Sequence, residues 1–279
     1  MKTSLKLQLV THNLAKKYLP KRSQRMNKTH GGKLLIVAGS KGMYGAGILS
    51  ALAGTRAGAG YTYLMMDWLR KDILKHPDIL FLKPELKILN TLKVTAYVLG
   101  PGIGQSPRSA RLLKFLITKK VPLAVLDADG LNLLAKVGNV KLPSGWILTP
   151  HEGELSRLLG VPSEKIRKNP THFVAEAQKK YGCVVLLKGA STYICDGGKI
   201  FISKSGTPAL AKAGTGDVLS GIIGALLAQG VSSTFAAALG AYVHGVISQK
   251  FLQDGNDVLS LRPTDLIDYL PKILKTIRK

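Results

Sequence analysis

Short apolar runs alternate along this chain with longer stretches in which apolar positions recur every three or four residues. The runs are Leu34–Ala38, Tyr61–Met66, Val94–Leu99, Leu123–Leu126, Trp146–Leu148 and Val184–Leu187. They are too short for buried helices, and most lack polar alternation, the pattern of strands covered on both faces. Helices are predicted at Gly45–Ala57, Ser109–Lys119, Gly130–Lys136, Glu152–Leu159 and Thr171–Tyr181. Thr192–Cys195 and Lys199–Ile202 flank Asp196–Gly197–Gly198 and predict a hairpin. Three further helices are predicted at Gly214–Gln229, Ser233–Leu252 and Pro263–Ile277, whereas Trp68–Lys93 shows no clear period. Strands alternating with helices imply a mostly parallel sheet with helices on both faces, in one α/β domain. Residues 1–18 are polar and basic, and are set apart as a leader to a domain over 19–279.

Composition narrows the class. The 279 residues are 46% hydrophobic and 20% charged, which excludes a disordered, collagenous or coiled-coil chain. The best membrane candidate, Gly221–Gly230, falls far short of the ~18–20 residues of a span. Met1–Lys33 has no apolar core of a secretory signal. Cys183 and Cys195 have neither metal nor redox spacing and fit a reduced, cytoplasmic chain. Forty Lys and Arg against sixteen Asp and Glu give a net charge of +24. The bases are spread along the chain, densest over Lys16–Lys33, without an aromatic RNA motif, a Cys/His finger or a basic zipper. A solvated basic surface is therefore the first reading, steering of polyanionic small substrates the second, and a nucleic-acid binder the remote one.

In open α/β sheets ligands bind at the carboxyl ends of the strands. Gly39, Gly100, Asp127, Thr149 and Lys188 all stand at predicted strand ends. Gly214–Thr215–Gly216–Asp217 opens an apolar helix, where free N–H groups and the helix dipole attract anionic oxygens. Asp217 is either an electrostatic cap there or a general base for a hydroxyl proton in phosphoryl transfer. The segment is not a Walker loop, because no Gly-Lys-Ser/Thr is present. Gly39–Gly47, with Ala46, serves either a substrate diphosphate or tight helix packing, and Gly100–Gly104 alone reads as a turn. Asp127 and Asn132 are candidate site residues, and Asp129 reads as a helix N-cap. After Thr149–Pro150 come His151, Glu152 and Glu154; Glu154 suits Mg²⁺ held through water. Lys188–Gly189–Ala190–Ser191–Thr192 leaves a buried strand and either meets phosphate or carries a surface lysine.

Taken in order, these segments resemble the ADP/ATP-dependent NAD(P)H-hydrate dehydratase family of the ribokinase-like superfamily. The likeness runs from about Leu19–Pro20 to the C-terminus. It is carried by Leu34–Gly39 with Ser40, Gly42–Met43 and Gly45–Ala46, by Gly100–Pro101–Gly102, and by Asp127–Ala128–Asp129. Leu148–Thr149–Pro150–His151, Lys188–Gly189–Ala190 with Thr192, and Gly214–Thr215–Gly216–Asp217 complete it. His151 discriminates best, since related vitamin kinases place Asn after Thr-Pro. The resemblance implies a ribokinase-like three-layer sandwich. It also implies an enzyme that uses ADP or ATP, with Mg²⁺, to dehydrate hydrated NADH or NADPH. The C6 hydroxyl is phosphorylated, and phosphate then leaves as the ring double bond reforms. Asp217 matches the base, and the Gly214, Thr215 and Gly216 amides would stabilise the transferring phosphoryl group. Ala46, Gly104, His151 and Asp217 match positions that contact the hydrated dinucleotide. Lys188, Gly189, Ala190, Ser191, Thr192 and Gly216 match the adenine-nucleotide side, and Glu154 a Mg²⁺-organising carboxylate. Relatives form homo-oligomers, often tetramers, and some carry an N-terminal epimerase domain for which too few residues precede Leu34. Ala213 replaces the first glycine of the usual Gly-Gly-Thr-Gly-Asp, a change expected to be harmless unless that position needs positive φ. The alternatives are a ribokinase-like kinase of a small alcohol such as a vitamin precursor and, remotely, the nucleic-acid binder.

Overall fold

A computed structural model describes residues 5–23, 25, 27–66 and 75–279. The apolar runs form strands β2 (Lys33–Val37), β3 (Tyr61–Met65), β5 (Ala96–Leu99), β6 (Ala124–Leu126), β7 (Trp146–Leu148) and β8 (Val184–Leu187). The hairpin is β9 (Thr192–Cys195) and β10 (Lys199–Ser203), its turn held by Asp196 Oδ1, which accepts from the Gly198 and Lys199 amides at 2.9 and 2.8 Å. Two edge strands, β1 (Lys6–Leu9) and β4 (Leu80–Leu82), complete one sheet of order β1-β10-β9-β8-β7-β6-β5-β2-β3-β4. From β8 to β4 every pairing is parallel, with Ile36 opposite both Leu64 and Val98. β9 runs antiparallel to both its neighbours, and β1 parallel to β10.

The described part of residues 1–18 is built into this body. β1 pairs with the sheet, helix α1 (His12–Tyr18) follows, and Val10 and Ala15 are buried. Thr11 caps α1, its hydroxyl accepting from the Leu14 amide at 3.3 Å. The aperiodic stretch Trp68–Lys93 lies outside the described residues as far as 74. Beyond that it holds β4 and the short helix α3 (Leu86–Thr91).

Alternate residues of each central strand face opposite layers, as the period of two requires. Leu34, Ile36, Val98, Val125 and Ile147 enter the core beneath α2 (Tyr44–Arg56), α9 (Thr215–Ala228), α10 (Ser233–Gln253) and α11 (Pro263–Arg278). Leu35, Val37, Leu99, Leu126 and Leu148 enter the other, beneath α4 (Pro107–Thr118), α5 (Asp129–Val137), α6 (Glu152–Leu159) and α8 (Pro170–Tyr181), with α7 (Ser163–Lys168) at its rim. The small residues of α2 serve packing. A Cβ on Gly54 would lie 2.7 Å from Leu34, and one on Gly221 of α9 would lie 2.1 Å from the Ser50 carbonyl oxygen. The chain runs outward from β2 through β3 to β4, then returns to the other side of β2 with β5. That reversal opens a crevice at the carboxyl ends of β2 and β5.

Candidate active site

Three strand ends and two helix starts converge beyond the carboxyl edge of the sheet. Asp127, one residue past β6, is buried between two donors: Lys188 Nζ donates to its Oδ1 at 2.8 Å and Ser220 Oγ to its Oδ2 at 2.6 Å. Lys188 follows β8, and its amide donates to the Pro150 carbonyl at 2.8 Å. This bond extends the β7–β8 ladder and brings His151 beside Lys188. Glu154 is buried on the first turn of α6, with Oε2 3.8 Å from Lys188 Nζ. One ammonium therefore serves two buried carboxylates, which burial alone would not tolerate.

Asp217 lies in the first turn of α9 and is raised from 3.8 to about 7. Burial is the largest cause, the Asp127 charge adds to it, Lys188 opposes, and Glu154 adds again. Burial also works against the Lys188 ammonium, but the charges of Asp127 and Glu154, the Asp127 hydrogen bond and the Asp217 charge reverse this, so its pKa is raised.

α9 begins with Gly214 at φ +93°, where a side chain would be strained and its Cβ would meet Pro263 and Leu49 at 2.8 and 2.9 Å. The first helical backbone bond runs from the Val218 amide to the Gly214 carbonyl at 3.2 Å, so the Gly216 and Asp217 amides precede the ladder. A Cβ on Gly216 would stand 3.6 Å from Lys188 Nζ, which places the ammonium over this turn. An anion at the helix start would meet backbone N–H groups, the dipole and the ammonium together. Thr215 instead anchors the preceding loop. Its Oγ1 donates to the Leu210 and Lys212 carbonyls at 2.9 and 2.8 Å, and its amide lies 3.3 Å from the Lys212 carbonyl. Ala213 is exposed and is not among the non-glycine residues of positive φ, so its methyl costs the loop nothing.

A cavity of about 770 Å³ opens beside this turn. Lys188, Gly189, Ala190, Thr192 and Gly216 line it, with His151 at its edge, whereas Ser191 does not. Ala46 and Gly104 lie in the crevice between β2 and β5 instead. Gly102 packs on Ala46 there, and Ser40 Oγ donates to the Gly102 carbonyl at 2.9 Å.

Four residues have local roles that their sequence setting does not show. Asp129 is the first residue of α5, not its N-cap; the cap is Ala128, at φ +48°. The Asp129 carboxylate instead accepts from the Gly104 amide at 3.0 Å and from Gln105 at 3.3 Å, tying the Gly100–Gly104 turn to α5. Asn132 reaches Asp129 at 3.4 Å and accepts from Arg157 at 2.8 Å. His151 and Glu154 form the capping box of α6: His151 Nδ1 accepts from the Gly153 amide at 3.0 Å, and Glu154 Oε2 from the His151 amide at 2.9 Å.

His244 has no motif around it, and the sequence reading does not single it out. It is buried on α10, lines the cavity, and its Nε2 lies 3.0 Å from the Thr215 carbonyl. A carbonyl only accepts, so Nε2 carries the proton. Burial lowers the imidazole to about 4, against the pull of that bond, so it is neutral near pH 7. Its only sequence signal is a histidine within the largely apolar stretch 236–247 of α10.

The architecture and the strand-end site define a ribokinase-like α/β protein. The Bacillus subtilis ADP/ATP-dependent NAD(P)H-hydrate dehydratase, co-crystallised with ATP and Mg²⁺, superimposes with a TM-score of 0.88. It is 27% identical, with 99% of each chain covered. The chain belongs to the NAD(P)H-hydrate dehydratase family, whose sequence model matches residues 34–272. The ADP-dependent (S)-NAD(P)H-hydrate dehydratase of Neisseria meningitidis is 35% identical over 232 residues, covering 80% of this chain and 78% of that one. The bifunctional NAD(P)H-hydrate repair enzyme of Coxiella burnetii is 35% identical over 258 residues, 90% of this chain and 52% of that protein. The chain thus spans about half the length of several curated relatives it matches.

Proposed function

We propose that this chain uses ADP or ATP to dehydrate NADH or NADPH hydrated at C6 of the nicotinamide ring. The observation that carries the reading is Asp217, raised to about 7 beside the open amides of α9. A base poised near working pH is what removal of a hydroxyl proton requires. In this reading Asp217 takes the C6 hydroxyl proton as the hydroxyl oxygen attacks the terminal phosphoryl group, whose bond to the bridging oxygen breaks to release AMP or ADP. The Gly216 and Asp217 amides and the Lys188 ammonium hold the charge that develops on the phosphoryl oxygens. Phosphate then departs with the C6 oxygen, and the ring loses a proton to restore its double bond.

The cavity beside Lys188–Thr192 has a volume suited to the nucleotide. The crevice at Ala46 and Gly104, together with His151 from the lining of the neighbouring cavity, would hold the hydrated dinucleotide. Among the described residues no group of three His, Cys, Asp or Glu is placed to hold a metal. The buried carboxylates nevertheless offer hard oxygen donors, which fits Mg²⁺ carried in by the nucleotide and met by Glu154 through water. Such an ion would neutralise phosphate charge. The proposal includes a single catalytic domain, a homo-oligomer and a cytoplasmic setting. Among the described residues no helix is long and apolar enough to cross a membrane.

The test is recovery of dihydronicotinamide absorbance from hydrated NADH or NADPH, with ADP or ATP added in turn. Recovery that needs a nucleotide supports the reading, and Asp217→Asn should lower it by about 10²–10⁴-fold with nucleotide affinity kept. A stable phosphorylated product, with no recovery, would replace it with the small-alcohol kinase.

A further inference from the structure

The end of the sheet opposite the active site carries a second built cavity. Its floor is formed where the chain enters β2 at Gly31 and approaches β3 at Gly58, so it lies at the amino ends of these strands. The volume is about 490 Å³. Five basic side chains line it: Lys21, Arg22, His30, Arg56 and Arg278. They come from four separate segments, namely the loop after α1, the turn before β2, the last residue of α2 and the end of α11. No Asp or Glu is among the lining residues, and none of the five is ion-paired to a carboxylate among the described residues.

Basic residues at helix ends have an ordinary explanation. α2 and α11 both finish here, and their carbonyl ends favour a cation. This accounts for Arg56 and Arg278, but not for Lys21, Arg22 or the concave wall they share. Arg278 donates to the Pro20 carbonyl at 3.3 Å, and its pKa is lowered by burial with no carboxylate to offset it. The wall between the cations is apolar, with Leu274 and Ala57 buried in it. Four permanent charges around a concave apolar floor leave an unbalanced positive potential, which a counter-anion would relieve.

We propose that this cavity is an anion site, distinct from the nucleotide cavity, for a small molecule bearing a diphosphate or similar multivalent phosphate group. Two arginines on different helices present planar forks, which match phosphate oxygens in pairs. A cavity of this volume fits a small ligand, whereas a polynucleotide would call for an extended basic stripe.

The probe is inorganic pyrophosphate, titrated calorimetrically into the full chain near physiological salt, with the catalytic cavity first saturated with a non-hydrolysable ATP analogue. One further site per chain is expected. Arg56→Gln, Arg278→Gln and Lys21→Gln should each weaken it by about tenfold while leaving the affinity for the ATP analogue unchanged. All three residues are exposed, so the variants should fold, and thermal melting checks this. Absence of the second site, or equal binding by all three variants, overturns the proposal. So does a single-stranded oligonucleotide that binds tighter than pyrophosphate with a steeper salt dependence, which would make the face a polymer-binding surface.

Discussion

Asp217 keeps its place against its own electrostatics. Its folded pKa of about 7 stands above the ordinary 3.8, so the fold disfavours the ionised form. Stability is complete below the usual carboxylate range and is lost as pH rises through about 7. Asp217→Asn should therefore raise the melting temperature near pH 8 and leave it almost unchanged near pH 4. Allowing for partial exposure, the gain is on the order of 2 kcal/mol, measured by thermal melts across pH. The same substitution is expected to remove activity, a trade of stability for function. Recovery rates in the native protein should rise through pH 7 as the carboxylate ionises. His244 works in the opposite sense. Its folded pKa of about 4 lies below the ordinary 6.5, so the unfolded chain binds the proton more tightly. Stability should fall as pH drops from about 6.5 towards 4, by roughly 3 kcal/mol in all. His244→Gln should flatten that part of the profile, because the amide still donates to Thr215 without titrating.

Among the elements, α2 and α9 decide how closely the turn at 214–217 approaches the sheet. Gly221→Ala would place a methyl 2.1 Å from the Ser50 carbonyl oxygen, a backbone atom that cannot rotate away. Ser50 also donates to the Asp217 carbonyl at 2.8 Å, so separating the helices disturbs the turn that holds the proposed base. A loss of about 1–3 kcal/mol in chemical denaturation is expected, with a drop in kcat. Gly54→Ala should cost less, since its nearest neighbour is the end of the Leu34 side chain. Ala213→Gly, which restores the family's usual glycine, should change stability by less than about 1 kcal/mol and leave turnover as it is.

For the molecule as a whole, the sheet separates the cavity beside Lys188 from the basic cavity at the amino ends of β2 and β3. The net charge of +24 is spread over the chain, and it should draw in substrates that carry several phosphates. kcat/KM is accordingly expected to fall as ionic strength rises from low to physiological while kcat stays level; salt-independent kcat/KM would exclude steering. The central strands were legible because both their faces are buried, which leaves an apolar run in the chain. β1 and β4 were not, because an edge strand is covered on fewer sides. Leu7 and Leu9 of β1 remain 54% and 53% exposed, beside polar Gln8.

The strand-end positions of Asp127, His151 and Lys188 and the helix-start position of Asp217 followed from the chain alone, because apolar periodicity marks where each strand stops and each helix starts. Their partners did not follow. The Asp127–Lys188 bond spans 61 residues and the Asp127–Ser220 bond 93, and no local pattern encodes contacts that exist only when β6, β8 and α9 pack together. Asp129 shows the limit most plainly. As a carboxylate just before a helix it reads as a cap, yet folding brings the Gly104 amide to it, and that donor takes the carboxylate from the helix. Residue type and spacing record what each side chain is able to do, whereas burial and neighbours, which raise Asp217 and keep His244 neutral, are properties of the packed chain.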